Sequence, residues 1–290
     1  MQLTKSLIKA KRPCREGFRW FARHYTEHGH YQELLDALVA DGRSNDACWL
    51  LDQFGPTDEV RVVDALTADS LVFAGTLQVL GNAEAGALLR VGRQLRVARG
   101  LRVDGDLVVG EDLRSDGGIR CAGKLTVGGE LRADWSIDAD GALRCGGRLR
   151  VGGDLRCGAS LEAADHVSVG LDLDVAAAVV CARGLQAGGR VAAGGALRAG
   201  HGILAGGAIE TGRHLEAGWG IRAGEDIAAG GSIRAGESLS AGGTIRAGAG
   251  YGIFAGLDVA LADWAQSARV SAAVHPPDLI SGHWSGPAAG

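Results

Sequence analysis

The histidines of this 290-residue chain have the spacing that comes closest to a metal-binding or catalytic pattern. His24 and His28 are four residues apart, and two imidazoles at this separation on one helix can hold a metal ion. The sequence offers no third ligand of matching type beyond Glu27, and Gly29 would interrupt the helix. We therefore interpret the pair as surface histidines and predict no metal site.

The remaining candidates for catalysis are isolated histidines and cysteines. His166, His201 and His214 could act as general bases, but no inserted loop surrounds any of them. The six cysteines show no CxxC spacing, which is typical of reduced thiols in a cytoplasmic protein. A catalytic thiol would also need an activating base, and the sequence places none beside a cysteine. We predict no catalytic residue and no cofactor.

A six-residue repeat must position these side chains. In steps of six from Leu71 to Ile245 there are thirty positions, and 29 of them carry Leu, Ile or Val, with Ala83 as the exception. A small side chain follows two residues later, with Phe73 as the only large exception, and from Gly188 to Gly248 the fourth position is always Gly. Positions one and three of a short strand point inward, and Gly would open each corner by accepting a positive φ. Because one such strand cannot bury its own face, the repeat predicts an all-β parallel β-solenoid of stacked coils.

The number of hexads in one coil decides which side chains share a column. IRAGEDIAAGGS is followed by IRAGESLSAGGT between Ile221 and Thr244, which is a twelve-residue duplication. The inward cysteines are also separated by multiples of twelve: Cys121, Cys145, Cys157 and Cys181. We favour two hexads per coil and keep three as the alternative. Two hexads per coil predict a rod roughly 72 Å long, and three predict a rod roughly 48 Å long.

Arginine is the commonest residue at the outward second position, where it fills 13 of the 30 places. Closely stacked guanidinium groups favour an anionic partner surface, and a solvated face balanced by corner carboxylates is the alternative. With twelve residues per coil the columns are Arg120, Arg132, Arg144 and Arg156 in one and Arg222, Arg234 and Arg246 in another. With eighteen per coil, Arg96, Arg114, Arg132 and Arg150 stack instead.

Two tryptophans occupy the fifth hexad position, which should be a solvent-facing corner. In a two-hexad coil, Trp135 and Trp219 would lie on the same edge. An exposed indole often marks a binding surface, and the alternative is that each ring lies flat over a neighbouring corner or under the terminal helices. The arginines of the two twelve-residue columns and these two tryptophans are our candidate partner-binding residues.

The hexads of residues 71 to 250, such as Leu197-Arg198-Ala199, resemble those of bacterial β-solenoids. The bactofilins, which are polymer-forming cytoskeletal proteins, are the family that the repeat resembles in architecture, and the hexapeptide-repeat acyltransferases are more distant. The first resemblance implies a self-assembling scaffold, and the second implies an enzyme with a corner-loop histidine. The acyltransferase hexad places its small residue before the aliphatic one, whereas here the small residue follows it.

The two ends of the chain do not follow the hexad repeat. Residues 1–57 are rich in aromatic side chains, and Tyr31 to Val39 shows helical spacing before a stop at Asp41-Gly42. A second helix is predicted from Asn45 to Phe54 after Ser44 as N-cap. We predict a helical head over 1–57 that covers the first coil, the solenoid over 58–260, and a C-terminal cap with a frayed tail over 261–290.

Charge and composition narrow the function. The net charge is −4, and residues 58–290 hold 22 basic and 27 acidic side chains, which argues against nucleic acid as the partner. No run approaches 18 apolar residues, so we expect no membrane span and a cytoplasmic location. We predict a non-enzymatic rigid rod that binds a protein partner, in one version as an inhibitor or immunity-type protein. The alternatives are the bactofilin-like scaffold and then the acyltransferase, and a homo-oligomer stays open.

Overall fold

The computed structural model describes residues 2–25 and 28–287, and it confirms the parallel β-solenoid. Between Leu77 and Ile245 each strand pairs with the strand eighteen residues along the chain, as in Leu95↔Leu113 and Leu113↔Leu131. Three hexads therefore complete one coil, and the preference for two hexads is wrong. The solenoid has about twelve turns. Its three parallel walls are called walls 1, 2 and 3 in the order in which the chain visits them.

Most strands are three residues long, and each contributes one outward side chain between two buried ones. Wall 1 contains the strands Val60–Val63, Thr76–Val79, Leu95–Val97, Leu113–Ser115, Leu131–Ala133, Leu149–Val151, Val167–Val169, Leu185–Ala187, Ile203–Ala205, Ile221–Ala223, Leu239–Ala241, Arg269–Ser271 and His283–Trp284. Two longer strands, Leu66–Phe73 and Ala83–Val91, each run through walls 2 and 3.

The other strands divide between the remaining walls. Wall 2 continues with Leu101–Val103, Ile119–Cys121, Ile137–Ala139, Leu155–Cys157, Leu173–Val175, Val191–Ala193, Ile209–Thr211, Ile227–Ala229 and Ile245–Arg246. Wall 3 continues with Asp106–Val109, Leu125–Val127, Leu143–Cys145, Leu161–Ala163, Val179–Cys181, Leu197–Ala199, Leu215–Ala217, Ile233–Ala235, Ile253–Phe254 and Leu279–Ser281. The inward side chains of all three walls form one continuous apolar core that extends from Phe73 to Ala272.

The corner glycines are required for a reason other than positive φ. Among the described residues, the glycines with positive φ lie outside the hexads that end at Gly248: Gly42, Gly55, Gly250, Gly256, Gly282 and Gly286. A Cβ on Gly188 would instead lie 2.1 Å from the carbonyl oxygen of Gly170, which is eighteen residues earlier. The expectation that the corner glycines adopt a positive φ is therefore wrong. Glycine is required there because successive coils stack so closely that a side chain has no room.

The described residues of the head form four helices: Lys5–Ala10 (α1), Arg15–His24 (α2), Tyr31–Ala40 (α3) and Ser44–Phe54 (α4). The strands Gln2–Thr4 and His28–His30 pair antiparallel beside them. Helices α3 and α4 agree with the expected spans, although Arg43 and not Ser44 is the N-cap residue of α4. Gly55, with φ 75°, ends α4.

The head covers the free edge of the first coil, as the sequence predicts. The Gln32 side chain on α3 donates to the Val72 carbonyl oxygen over 2.9 Å and accepts the Ala74 N–H over 2.9 Å. It therefore occupies the place that a preceding strand would take. Val72 is fully buried among the apolar side chains of the head, and Arg90 forms an ion pair with Asp52 of α4.

The C-terminal residues extend the solenoid more than they cap it. The hexad register slips by two at Ile253, which pairs with Ile233, and the strands from Arg269 to Trp284 then continue walls 1 and 3. A 3₁₀ turn, Leu261–Asp263, and a short helix, Trp264–Ser267 (α5), bulge between them. Residues 288–290 of the predicted frayed tail lie outside the described residues.

Candidate partner-binding face

Wall 1 has one continuous column of arginines. Arg96, Arg114, Arg132 and Arg150 are the outward residues of four successive strands and are aligned in register. This is the column that eighteen residues per coil predicts. Parallel strand pairing holds the four side chains about 4.8 Å apart. A shallow groove of about 470 Å³ runs along this wall over Gln78 and the first three arginines.

The two columns expected for a twelve-residue coil do not form. Instead the structure distributes the seven candidate arginines over all three walls. Arg132 and Arg222 lie on wall 1, Arg120, Arg156 and Arg246 lie on wall 2, and Arg144 and Arg234 lie on wall 3. Only Arg132 keeps arginine neighbours on both sides, at Arg114 and Arg150.

On walls 2 and 3 the outward charges tend to alternate. On wall 2, Asp138 lies in register between Arg120 and Arg156. On wall 3, the Arg144 Nε lies 3.2 Å from Glu162, and the Arg198 Nε lies 2.9 Å from Glu216. These pairs match the alternative of a solvated face with balanced charge, and exposed pairs of this kind contribute little to stability.

The arginine column on wall 1 is partly balanced by corner carboxylates. The Nε atoms of Arg114 and Arg132 each lie 2.9 Å from the carboxylates of Asp116 and Asp134, respectively. The hydrogen bond to Asp116 raises the pKa of Arg114, so this guanidinium is held firmly in its charged form. Wall 1 therefore presents arginines and carboxylates at fixed positions.

Trp135 lies at the rim of this column. It follows the strand Leu131–Ala133 at the corner between walls 1 and 2, and 71% of the residue is exposed. Its two neighbours along the edge are Gly117 and Gly153, which are joined to it by backbone hydrogen bonds of 3.3 Å and 3.1 Å. Since neither neighbour has a side chain, nothing beside it on that edge covers the indole.

Trp219 has a different environment. It lies at the corner between walls 3 and 1, so the expectation that the two tryptophans share an edge is wrong. Its ring stacks on His201 with a centroid distance of 4.1 Å and an interplanar angle of 3°. This is the flat arrangement over a neighbouring corner, although 53% of Trp219 is still exposed.

The corner histidines make local contacts. His166 Nδ1 lies 2.6 Å from Asp165 Oδ1, and this contact lowers the pKa of Asp165. His214 Nδ1 accepts the Ser232 N–H of the next coil over 3.1 Å. In the head, α2 ends at His24 while His28 belongs to a strand, so the two do not share a helix. Within the described ranges, no three His, Cys, Asp or Glu side chains form a group that could hold a metal ion.

The corner aspartates connect successive coils. Asp106, Asp112, Asp154 and Asp172 each accept the backbone N–H of the residue eighteen positions later, as in Lys124 N to Asp106 Oδ1 at 2.8 Å. These contacts cross from one coil to the next. Sequence reasoning also missed Leu171, which lies two coils beyond Trp135 on the same edge and is 55% exposed. Their separation of 36 residues is informative only once the coil is known to hold eighteen.

The comparisons with known proteins concern the head. Residues 1–54 match the family model described as the YdhT N-terminal domain. This match ends with helix α4 and leaves the solenoid uncovered. No curated protein and no solved structure matches the chain. The likeness of the hexads to bactofilins therefore remains a prediction from the repeat. In the part of the chain that the structure describes, no helix is long and apolar enough to cross a membrane.

Proposed function

We propose that this chain is a non-enzymatic, rigid rod that binds a protein partner along wall 1. The observation that carries the proposal is Trp135, which is exposed to 71% beside an in-register column of four arginines. Trp and Arg are the residue types most enriched among those that dominate binding energy in protein interfaces. In the version that the sequence suggests, the rod acts as an inhibitor or immunity-type protein that blocks its partner's active site.

The rigidity of the wall supports this role. Strand pairing fixes the spacing of Arg96, Arg114 and Arg132, and hydrogen bonds to Gln94, Asp116 and Asp134 orient their guanidinium groups. A surface that is ordered before binding loses little conformational entropy when the complex forms. Partner carboxylates or carbonyl groups that are spaced like the strands of wall 1 would bind several guanidinium groups of the arginine column at once.

The test compares two tryptophan variants in partner binding. The tagged wild-type protein is used to isolate a partner from cells that express the gene, and the recombinant partner is then titrated by calorimetry. We expect Trp135→Ala to weaken the complex about 30-fold, which corresponds to roughly 2 kcal/mol. Trp219→Ala, which removes an indole from the opposite edge of wall 1 beyond the end of the arginine column, is the matched control and should stay within about threefold. Equal affinity of wild type and Trp135→Ala would contradict the proposal.

The self-assembling scaffold is a second candidate because of the C-terminal end. Several large apolar residues are exposed there: Tyr251, Leu257, Leu261, Val274 and Ile280. A second copy could cover them, since exposed apolar patches often mark association surfaces. Negative-stain microscopy of the pure protein separates the two functions. Filaments would favour the scaffold and reject the inhibitor, whereas discrete particles would leave the partner-binding rod in place.

A further inference from the structure

The outer face of helices α1 and α2 carries an unusual concentration of positive charge. Residues 2–25 contain seven Lys and Arg side chains and a single carboxylate, Glu16. Six of the seven are exposed and are here called the basic head surface: Lys9, Lys11, Arg12, Arg15, Arg19 and Arg23. The solenoid has the opposite balance, with 22 basic and 27 acidic side chains in residues 58–290.

The basic head surface is not neutralised within the described part of the chain. Eleven arginines between Arg61 and Arg198 have a carboxylate oxygen within 4.0 Å. Among the residues that the structure describes, no member of the basic head surface has such a neighbour; the basic side chains of the head that do have one are His24 and Arg43. Arg15, Arg19 and Arg23 follow each other at intervals of one helical turn on α2, and the apolar residues Trp20 and Phe21 are buried on its opposite side.

Three features of this arrangement reduce the stability of the free head. Arg12 has a φ of 54°, in the left-handed region that favours Gly or Asn over a side chain such as Arg. Arg15 begins α2, where the helix dipole disfavours a cation. The spacing of Arg15, Arg19 and Arg23 places like charges one turn apart, which is also unfavourable. A ligand that brings negative charge to this face would relieve the second and third of these costs.

We propose that the basic head surface binds an acidic segment of a polypeptide. Arginines one turn apart on α2 are about 6 Å from each other, which is also the spacing of acidic residues one turn apart on a helix or two residues apart on an extended chain. Each guanidinium can bind a carboxylate with two parallel hydrogen bonds. This surface is separate from wall 1, so the inference goes beyond the proposed function.

Charge favours a short acidic segment over nucleic acid or an anionic membrane. A duplex or a bilayer extends well beyond the head and would also meet the excess negative charge of the solenoid. An acidic segment of a few turns needs to contact only the head. Its affinity would fall as salt screens the charges.

The experiment measures binding of the full chain to fluorescent poly-L-glutamate, with a 30-nucleotide single-stranded DNA and phosphatidylglycerol vesicles as competing probes. The test variant is R12Q/R15Q/R19Q/R23Q. The matched control, R120Q/R156Q/R213Q/R246Q, removes four exposed charges from the solenoid. We expect the head variant to bind poly-L-glutamate at least about tenfold more weakly, while the control stays within about twofold. The wall 1 variant R96Q/R114Q/R132Q/R150Q should change this binding by no more than about twofold, which keeps the two proposals distinguishable.

The single variant Arg12→Gly distinguishes binding from folding. Glycine removes the left-handed strain, so we expect a higher melting temperature together with weaker binding of poly-L-glutamate. A purely structural residue would not produce these opposite changes. Absence of binding to poly-L-glutamate at low salt, or an equal loss in the solenoid control, would overturn the proposal. Tighter binding of DNA or vesicles than of poly-L-glutamate, lost in the same head variant, would overturn the assignment to an acidic polypeptide.

Discussion

The four cysteines of the solenoid interior show how a small side chain can contribute more than volume. Their thiols donate to carbonyl oxygens sixteen residues earlier, as in Cys121 to Gly105 at 3.3 Å and Cys181 to Asp165 at 3.0 Å. Ser115 makes the same contact with the carbonyl oxygen of Arg99 at 2.8 Å. The inward position could be predicted from the hexads. The hydrogen bond could not, because its acceptor belongs to the preceding coil.

These buried thiols predict that the protein loses stability at alkaline pH. Burial raises the pKa of Cys121 from its ordinary value of 9.0 to about 11, and it also raises the pKa values of Cys145, Cys157 and Cys181. The folded state therefore holds these protons more tightly than the unfolded state. This contribution is complete below pH 9 and is lost as the pH rises through the folded-state pKa, near 11 for Cys121. For Cys121 it amounts to roughly 2–3 kcal/mol.

Thermal melts between pH 8 and pH 11 test this prediction. The melting temperature of the wild type should fall over this range, and the fall should be smaller in C121A/C145A/C157A/C181A. Alanine is the matched replacement because it already fills the same inward position at Ala139 and Ala163. A variant whose melting temperature declines as steeply as that of the wild type would show that other groups cause the alkaline loss.

At the scale of elements, the corner glycines predict a difference between two alanine variants. A Cβ on Gly206 would lie 2.0 Å from the carbonyl oxygen of Gly188, so the backbone of the corner must shift. A Cβ on Gly100 would meet only the Asn82 side chain at 3.8 Å, an ordinary contact distance. We expect Gly206→Ala to lower the free energy of unfolding by about 1–3 kcal/mol and Gly100→Ala to leave it within about 0.5 kcal/mol. Chemical denaturation of the two variants measures the difference, and equal losses would contradict the stacking explanation.

The contact between the head and the first coil depends on one amide side chain. Gln32→Ala removes the side-chain amide that bonds both the Val72 carbonyl oxygen and the Ala74 N–H. These two backbone groups would then be left without a hydrogen-bond partner. We expect a loss of about 2–4 kcal/mol and faster hydrogen exchange at the Ala74 amide. Gln186→Ala, on an exposed position of wall 1, is the control and should change neither quantity. An Ala74 amide that stays protected in Gln32→Ala would show that other head contacts hold this edge.

The hexad pattern predicts the strands but not the size of the coil. Each hexad has the same sequence of large, outward and small residues, so two or three of them can close a coil with an equally apolar interior. The duplication from Ile221 to Thr244 reflects similarity between hexads and has no consequence for closure. The informative signal is in the outward residues, because opposite charges recur eighteen apart, at Arg144 and Glu162 and at Arg198 and Glu216. The candidate site depended on coil size, which is why only Arg132 of the expected columns has arginines on both sides.

At the scale of the whole molecule, the solenoid has a single interior with no alternative core. Leu155 is fully buried and lies in register between Ile137 and Leu173. Leu155→Asp would place a charge where the adjoining coils offer only apolar side chains in register. We expect this variant to lose several kcal/mol or to fail to fold cooperatively, because an unpaired buried charge is strongly destabilising.

The outward neighbour Arg156 provides the comparison, and the structure changes what is expected of it. On hexad position alone, Arg156→Asp should leave stability within about 0.5 kcal/mol. Arg156 lies in register between Asp138 and Asp174, so an aspartate there would create a column of three carboxylates. Like charges directly opposite each other across strands are destabilising, which raises the expected loss to about 1–2 kcal/mol, and Arg156→Gln should cost less. Since these charges are exposed, 0.5 M salt should reduce the loss in Arg156→Asp and leave that of Leu155→Asp unchanged. Denaturation curves at two salt concentrations would refute the assignment of inward and outward faces if both losses responded to salt alike.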